Sequence, residues 1–259
     1  MASTDYVTVT ELPGSNPTGE QRAMLYTRYA YAASFAEGKD VLEIACGPGI
    51  GLGYLARKAR CAVGGDYSDQ LLAEAQRHYR GRVPLVRFDA HKLPFSDRCF
   101  DVIVFYEAIY YLADPAVFLG DCRRILRDGG VLLICSVNKE WPDFNRSPFS
   151  VDYYSISELS GLLRDHGFSV EPFGAFRVDE ASLVSKIVSR VRRIAVALNL
   201  IPRTMKGKEF LKRLFYGKAK PLPPELEDGE EEACPLEPIS GEAPVSSYKV
   251  IYAVSRLNP

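Results

Sequence analysis

The sequence predicts an α/β fold, a mostly parallel sheet covered by helices on both faces, and three observations carry that reading. Short apolar runs alternate with stretches of helical periodicity from residue 38 onward. The first run ends in a glycine-dense turn, Cys46-Gly47-Pro48-Gly49-Ile50-Gly51, followed by Leu52, Leu55 and Ala56 at helical spacing. The second run, Cys61 to Gly65, ends on Asp66, at the interval where an acid follows the loop of a nucleotide-type cofactor site.

Each element follows from local chemistry. Residues 1–17 hold two prolines, a glycine and small polar residues, so an irregular lead-in is expected. Thr18-Gly19-Glu20-Gln21 has the form of a capping box, opening a helix to about Phe35 with Leu25, Tyr26, Tyr29, Ala30 and Ala33 on one face. Strands are expected near 41–45, 61–65, 84–88, 100–105 and 130–137, and helices near 52–59, 69–80, 115–127 and 156–166. Buried parallel strands read as nearly continuous apolar runs, as Val131 to Cys135 does. Ligands of such sheets sit beyond the carboxyl ends of the strands, and Cys46 to Gly49, Asp66, Asp89 and Phe105 to Glu107 all fall at that rim.

The loop chemistry narrows the ligand. A carboxylate at Asp66 accepts two hydrogen bonds from a ribose diol. A dinucleotide loop needs glycines at its first, third and sixth positions, whereas counting from Gly47 gives Gly49 and then Leu52. Pro48 removes a backbone donor and Glu43 places a negative charge nearby, so joined phosphates are poorly served. A ligand with an ammonium and a sulfonium beside a single ribose fits better.

These motifs resemble those of the class I S-adenosylmethionine (SAM)-dependent methyltransferases. The family's glycine motif matches Glu43-Ile44-Ala45-Cys46-Gly47-Pro48-Gly49, and its ribose-binding acid matches Asp66. Phe88-Asp89-Ala90 with Leu93-Pro94-Phe95 is similar to its third motif, whose aspartate accepts from the adenine amino group. Phe100 to Glu107 is similar to the fourth motif, and Leu126 to Leu132 to the region after it. The resemblance covers residues 38–176 and a last strand near 248–256. It implies a Rossmann-like sheet of seven strands, the last antiparallel and preceded by a helical insertion, with SAM as cofactor. The implied cofactor contacts are Tyr29, Glu43, Ala45, Gly47, Gly49, Asp66, Tyr67, Asp89, Ala90 and Tyr106. In related enzymes the helix after residue 18 covers the cofactor; simple packing on the sheet is the alternative for its tyrosines. The organisation expected is a covering segment at 1–37, a core at 38–176, an insertion at 177–246 and a final core strand at 247–259.

The 259 residues are 47% hydrophobic and 25% charged with a formal net charge of −1, which fits one α/β domain with an insertion. No apolar run approaches a membrane span and the start lacks a basic then apolar signal, so a cytoplasmic protein is expected. Six cysteines form no Cys-x-x-Cys pair and point to neither a metal site nor a disulfide framework.

Between Val184 and Lys220 stand eleven lysines and arginines against one acid, Glu209. Leu183, Ile187, Val191, Ile194 and Leu198 recur at spacings of three and four, which reads as a basic amphipathic helix, with a second short helix after Pro202. A solvated face is one account; peripheral attachment to an anionic membrane is another. Nucleic acid is disfavoured, because no nucleic-acid fold motif accompanies the charge. Pro221 to Pro244, proline-rich with eight acids, reads as a loop or disordered segment.

Methyl transfer from a sulfonium is an in-line displacement, so the protein must orient the acceptor and exclude water. A hydroxyl acceptor also needs a base. Glu107 is the candidate base, and Tyr111 the candidate for positioning the acceptor or walling the methyl group; cofactor-side or packing roles are the alternatives. His91 is read as a neighbour of the adenine loop, while His78 and His166 sit at helix ends. Asn138, Trp141, Asp143, Asn145 and Arg146, before Tyr153-Tyr154-Ser155, suit a substrate mouth. The expectation is an O-methyltransferase for a small-molecule acceptor, a sugar or lipid-linked glycan, at the inner membrane face. A quinone or polyketide methyltransferase would instead enclose an apolar cavity with Tyr110, Tyr111 and Trp141, and a non-catalytic SAM-binding protein would keep only the cofactor rim.

Overall fold

The computed structural model describes residues 6–178 and 220–257. After a single 3-10 turn at Tyr6–Val9 come α1 (Gly19–Ala33), β1 (Asp40–Ile44), α2 (Leu52–Ala56), β2 (Cys61–Asp66), α3 (Asp69–Tyr79), β3 (Leu85–Arg87) and β4 (Phe100–Tyr106). Then follow a 3-10 turn at Ile109–Tyr111, α4 (Pro115–Ile125), β5 (Leu126–Val137), α5 (Ile156–Asp165), β6 (Phe168–Arg177), β7 (Glu237–Pro238) and β8 (Tyr248–Leu257).

The strands form one sheet in the order β3-β2-β1-β4-β5-β8-β6-β7. β3 through β5 run parallel, and β8 inserts antiparallel between β5 and β6. The expected seven strands are eight, because Glu237–Pro238 adds a short antiparallel edge to β6. β6 itself escaped the periodicity reading, since Pro172 and Gly174 look like breakers. They are tolerated because β7 covers only Phe173 and Gly174, leaving most of that edge without a ladder that needs the missing proline donor.

Two apolar layers flank the sheet. One packs Leu25, Tyr29 and Ala32 of α1 with Leu52 and Leu55 of α2 and Tyr79 of α3. The other packs Phe118, Leu119 and Cys122 of α4 with Leu159 and Leu163 of α5. The capping box is present as expected: the Thr18 side chain accepts from the Gln21 amide, and the Gln21 side chain accepts from the Thr18 amide. Ser155 and Glu158 form a second box at α5.

Residues 184–219 of the basic block at 184–220, with both of its expected helices, lie outside the described residues. The acidic stretch after it is irregular, with only β7 as regular structure, but it is held tightly to the domain. Leu222 and Leu226 are buried. Leu222 exchanges backbone hydrogen bonds with the lead-in, Gly14 N to Leu222 O and Leu222 N to Ser15 O, both 2.8 Å. Among the described residues no helix is long and apolar enough to cross a membrane.

Candidate functional site

The glycine loop is built by two clamps. From the rim, the Gly47 amide donates to Asp66 Oδ2 at 2.8 Å, while Ser68 N donates to Asp66 Oδ1 at 2.8 Å. From below, the Tyr79 hydroxyl donates to Gly49 O at 2.6 Å and accepts from Gly53 N at 2.8 Å. Gly47 and Gly49 have φ of 56° and 80°, a conformation that glycine adopts without steric cost. A Cβ on Gly49 would also lie 2.8 Å from the Tyr79 ring, so the side of the loop facing Tyr79 is closed to any larger residue. Ala45, just before the loop, holds φ at 59° and stands exposed at the rim.

Glu43 ends its side chain beneath this loop. Its Oε1 accepts from the Tyr29 hydroxyl at 2.6 Å, and its Oε2 is buried with no hydrogen-bond partner. Burial pushes its pKa up to about 8, with the Asp66 charge adding to the rise and the Tyr29 bond opposing it. Burial likewise lifts Asp66 above the ordinary aspartate range, against the pull of the Ser68 and Gly47 amides. Tyr29 is buried, its hydroxyl committed to Glu43 and its ring stacked where a Cβ on Gly51 would fall. Tyr106 lies edge-on to Tyr29 at 6.4 Å with its hydroxyl unpartnered.

On the side expected to face adenine, Phe88 N donates to Asp66 O at 3.2 Å, fixing Asp89 and Ala90 just beyond Asp66. Asp89 accepts from the His91 amide and ring at 2.9 and 2.7 Å. Burial alone would raise the Asp89 pKa, but these His91 contacts win and hold it low. Tyr67 is half exposed, with the Arg87 guanidinium 5.9 Å from its ring centre.

The residues expected on the acceptor side gather around Glu107, which holds φ at 51° directly after β4. An L residue in that region is strained, and such strain concentrates at functional sites. Glu107 Oε2 accepts from the Tyr110 hydroxyl at 3.2 Å and from Val137 N at 3.3 Å. Burial raises its pKa, with Arg28 pulling the other way. Tyr111 meets Ser147 through its hydroxyl at 2.8 Å. Tyr110 stacks on Tyr153 at 4.3 Å, and Phe149, at φ 68°, stands half exposed at the mouth beside Tyr6. Trp141 lies against the Lys249 ammonium, 5.6 Å from its ring centre. Asn138 is fully buried and spends its amide on Val245 O and Tyr248 O, so it anchors the entry to β8 rather than lining a mouth.

His78 pairs with Glu225 at 2.8 Å, and His166 bonds Leu162 O at the end of α5. Among the described residues no group of His, Cys, Asp and Glu is placed to hold a metal.

Three residues placed at the candidate site were not read from the sequence. Tyr79 supports the glycine loop from α3. Arg28 stands three residues after Leu25 and four before Ala32, both buried, and that helical spacing was the available signal. Glu11 reaches Arg28 from the lead-in, with two contacts at 3.3 and 3.4 Å.

Comparison with known proteins agrees with this geometry. The family described as "Methyltransferase domain" matches residues 42–134, which hold the glycine loop, Asp66, Asp89 and Glu107. Residues 42–134 are thus similar to a methyltransferase domain, and the chain resembles S-adenosylmethionine-dependent methyltransferases over part of its length. A Mycolicibacterium smegmatis protein named "Probable S-adenosylmethionine-dependent methyltransferase" is 33% identical over 168 residues, 63% of this chain and 64% of that protein. A "Fatty-acid O-methyltransferase" of the same organism is 36% identical over 121 residues, 45% of this chain and 44% of the relative. The chain therefore spans less than two thirds of the length of these relatives. The crystal structure of the [4+2]-cyclase SpnF shares the fold, with a TM-score of 0.59 at 17% identity over 95% of this chain and 86% of that one. The matched domain implies SAM as cofactor. Its residues fit that group: an unpartnered buried carboxylate oxygen on Glu43 suits a cation, and Asp66 retains lone pairs for a diol after serving Gly47 and Ser68.

Proposed function

We propose that this methyltransferase transfers the methyl group of SAM to a hydroxyl of a small amphipathic acceptor, a sugar or a lipid-linked glycan. The observation that carries the reading is Glu107, a partly buried carboxylate of raised pKa bonded to Tyr110, whose ring meets those of Tyr111 and Tyr153. Aromatic faces take the apolar side of a sugar ring or the start of a lipid chain, and a carboxylate with lifted basicity takes a hydroxyl proton. The fatty-acid O-methyltransferase relative supports an amphipathic acceptor methylated on oxygen.

Each residue then has a role. The bound cofactor supplies an electrophilic methyl on a sulfonium. Asp66 holds the ribose while keeping the Gly47 loop in place. Glu43 and its Tyr29 bond face the positive charge, Tyr67, Asp89 and Ala90 frame the adenine, and Ala45, Gly47, Gly49 and Tyr106 complete the wall. Glu107 accepts the proton of the acceptor hydroxyl, and Tyr111 orients that hydroxyl through its bond to Ser147. Orientation and water exclusion supply most of the rate. An anionic membrane surface is the partner proposed for the basic block, which sedimentation with anionic liposomes before and after deletion of 184–219 tests.

The test of function is incubation with SAM and a panel of glycans, glycolipids, hydroxylated lipids and quinols, with S-adenosylhomocysteine formation as readout. Turnover with a hydroxyl acceptor that falls at least about a hundredfold in Glu107→Gln supports the reading, since general-base catalysis contributes that much. Turnover only with amine or carbon acceptors, or with none, overturns it.

A further inference from the structure

Three of the four large apolar side chains that stand exposed among the described residues gather at the candidate site: Tyr67, Phe149 and Val151. Tyr6 links the first two, its ring centre 6.3 Å from each of theirs. It also lies 5.2 Å from Tyr111, whose ring is 4.6 Å from that of Tyr110, the hydroxyl partner of Glu107. Val151 donates its amide to Tyr110 O at 2.7 Å. A line of rings therefore runs from the partner of Glu107 out to the surface. Exposed apolar side chains scattered singly carry no message, but a connected group of them at a cleft marks a binding surface.

Phe149 stands there against two preferences. Its φ of 68° is strained for a bulky L residue, and 49% of it remains exposed. Such strain persists only where neighbours impose it, and it concentrates at functional sites. The neighbours are present. Ser150 donates to Ser147 O from both its amide and its hydroxyl, at 3.3 and 2.8 Å, and Ser147 N donates to the Tyr153 hydroxyl at 3.2 Å. Arg146 donates to Val151 O at 2.8 Å. Tyr6 is fastened by Thr10, which donates to Tyr6 O at 2.7 Å and sets its methyl 3.2 Å from where a Cβ on Gly47 would stand. The rim is thus held in one arrangement with its apolar groups outward. Two cations that border it are already engaged, Arg146 with that carbonyl and Arg87, beside Tyr67, with Asp69 at 2.9 Å. A neutral, apolar occupant fits such a rim.

We infer that Tyr6, Phe149 and Val151 form a rim subsite for the hydrocarbon chain of the acceptor, so that the molecule methylated beside Glu107 carries an alkyl or acyl tail running outward along these side chains. The inference rests on the function proposed for the cleft and narrows it, from sugars in general to acceptors with a tail. Continuity identifies the occupant: the patch opens from the acceptor residues through Tyr110 and Tyr111 rather than lying on a separate face. Under the same reading the adenine covers part of Tyr67, which leaves Phe149 and Val151 to the tail. Hydroxyl and tail then bind at the two ends of one path, so chain length sets affinity while Glu107 sets the chemistry. Each methylene laid on the rim strengthens binding by about two- to fourfold.

Calorimetry on the full chain, saturated with S-adenosylhomocysteine, tests this with hexanol, octanol and decanol below their solubility limits. The unaltered protein is expected to bind decanol at least about tenfold more tightly than hexanol. Phe149→Asn is the informative variant, because asparagine adopts this φ readily and removes the ring without disturbing the backbone. It should cut the preference for decanol over hexanol by about fivefold or more, while the melting temperature holds or rises as the strain is relieved. Val151→Thr, which keeps the shape and adds a hydroxyl, should cut the same preference by roughly twofold. No binding of decanol, an unchanged preference in both variants, equal weakening of all three alcohols, or a lowered melting temperature in Phe149→Asn overturns the inference. Two further measurements exclude other occupants. A dimer in sedimentation velocity that Phe149→Asn returns to a monomer would assign the patch to a second copy of this chain. Cosedimentation with acceptor-free phosphatidylcholine vesicles that the variant abolishes would assign it to a bilayer, and either result overturns the inference as well. Should S-adenosylhomocysteine fail to bind the unaltered protein, the methyltransferase reading falls and takes the subsite with it, a failure seen before any alcohol is added.

Discussion

At the scale of single residues, Glu43 sets the most measurable property of the site. Its folded pKa of about 8 stands above the usual value of 4.5, so the native protein holds a proton that the unfolded chain has released. The unfolded state then binds fewer protons across that window, and stability falls as pH rises from 4.5 to 8 and levels off above it. The slope at its steepest is about 1.4 kcal/mol per pH unit for one such group. Glu43→Gln keeps an acceptor for the Tyr29 hydroxyl and removes the titration. Denaturant melts between pH 5 and 8 are expected to show the decline in the unaltered protein and a flatter profile in the variant; parallel profiles would refute the assignment. A cationic ligand favours the ionised carboxylate, so SAM binding at neutral pH is expected to expel a proton. The measured heat should then differ between phosphate and Tris buffers. Asp66 yields a second expectation. Asp66→Asn still accepts from one amide but loses the charge-assisted pair to a diol, lowering S-adenosylhomocysteine affinity by about ten- to a hundredfold. Retained affinity with an unchanged melting temperature would remove the ribose role.

At the scale of elements, what the sequence disclosed was whatever depends on near neighbours. Thr18 and Gln21 declare the start of α1 because a capping box is a contact across three residues. β1 and β2 announce themselves as apolar runs because both of their faces are buried. The placement of Asp66 beside the Gly47 loop was legible because the two lie at adjacent strand ends of one βαβ unit, whereas the hydrogen bond between them was not read. Tyr79, Arg28 and Glu11 were not, since their roles exist only once α3, α1 and the lead-in converge on the loop. β6 was hidden by Pro172, whose missing donor matters only when one knows which neighbour strand it faces. Tyr79 gives this scale its prediction. Tyr79→Phe preserves the ring that supports Gly49 and strands the Gly53 amide and the Gly49 carbonyl without their shared hydroxyl. The expected loss is about 1 to 3 kcal/mol, the penalty for leaving buried polar groups unsatisfied. Because both groups belong to the cofactor loop and the helix behind it, S-adenosylhomocysteine affinity should fall along with the melting temperature. A melting shift with unaltered affinity would make Tyr79 a packing residue only.

At the scale of the whole molecule, two segments far apart in sequence close over the same helices. The stretch from residue 220 crosses α1, α2 and α3 and is bonded there by side chains and backbone. Glu225 is its central fastening. Its Oε1 takes Arg57 at 2.6 Å, and its Oε2 takes His78 at 2.8 Å and Arg82 at 2.9 Å. These bases hold the Glu225 pKa low, although burial opposes them. Gly53 permits this approach, since a Cβ there would meet the Glu225 carboxylate at 2.2 Å. Glu231 on Arg22 and the Leu226 amide on Ile50 O extend the line of attachment. Leu222 in turn bonds Gly14 and Ser15, so the stretch also holds the lead-in whose Tyr6 and Thr10 lie on the candidate site. Single exposed ion pairs contribute little, but three bases sharing one largely buried carboxylate form a network whose removal leaves like charges facing one another. Glu225→Ala is therefore expected to loosen residues 220–232 while the sheet stays intact, because the sheet's own contacts do not pass through it. Limited proteolysis should cut within 220–232 several times faster than in the unaltered protein, with circular dichroism nearly unchanged. Glu225→Gln should lie between the two, since the amide oxygen can still accept while the charge is gone. If cutting rates match in all three proteins, the burial of Leu222 and Leu226 is what fastens the stretch, and its charges are incidental to the closure of the lead-in over the rim.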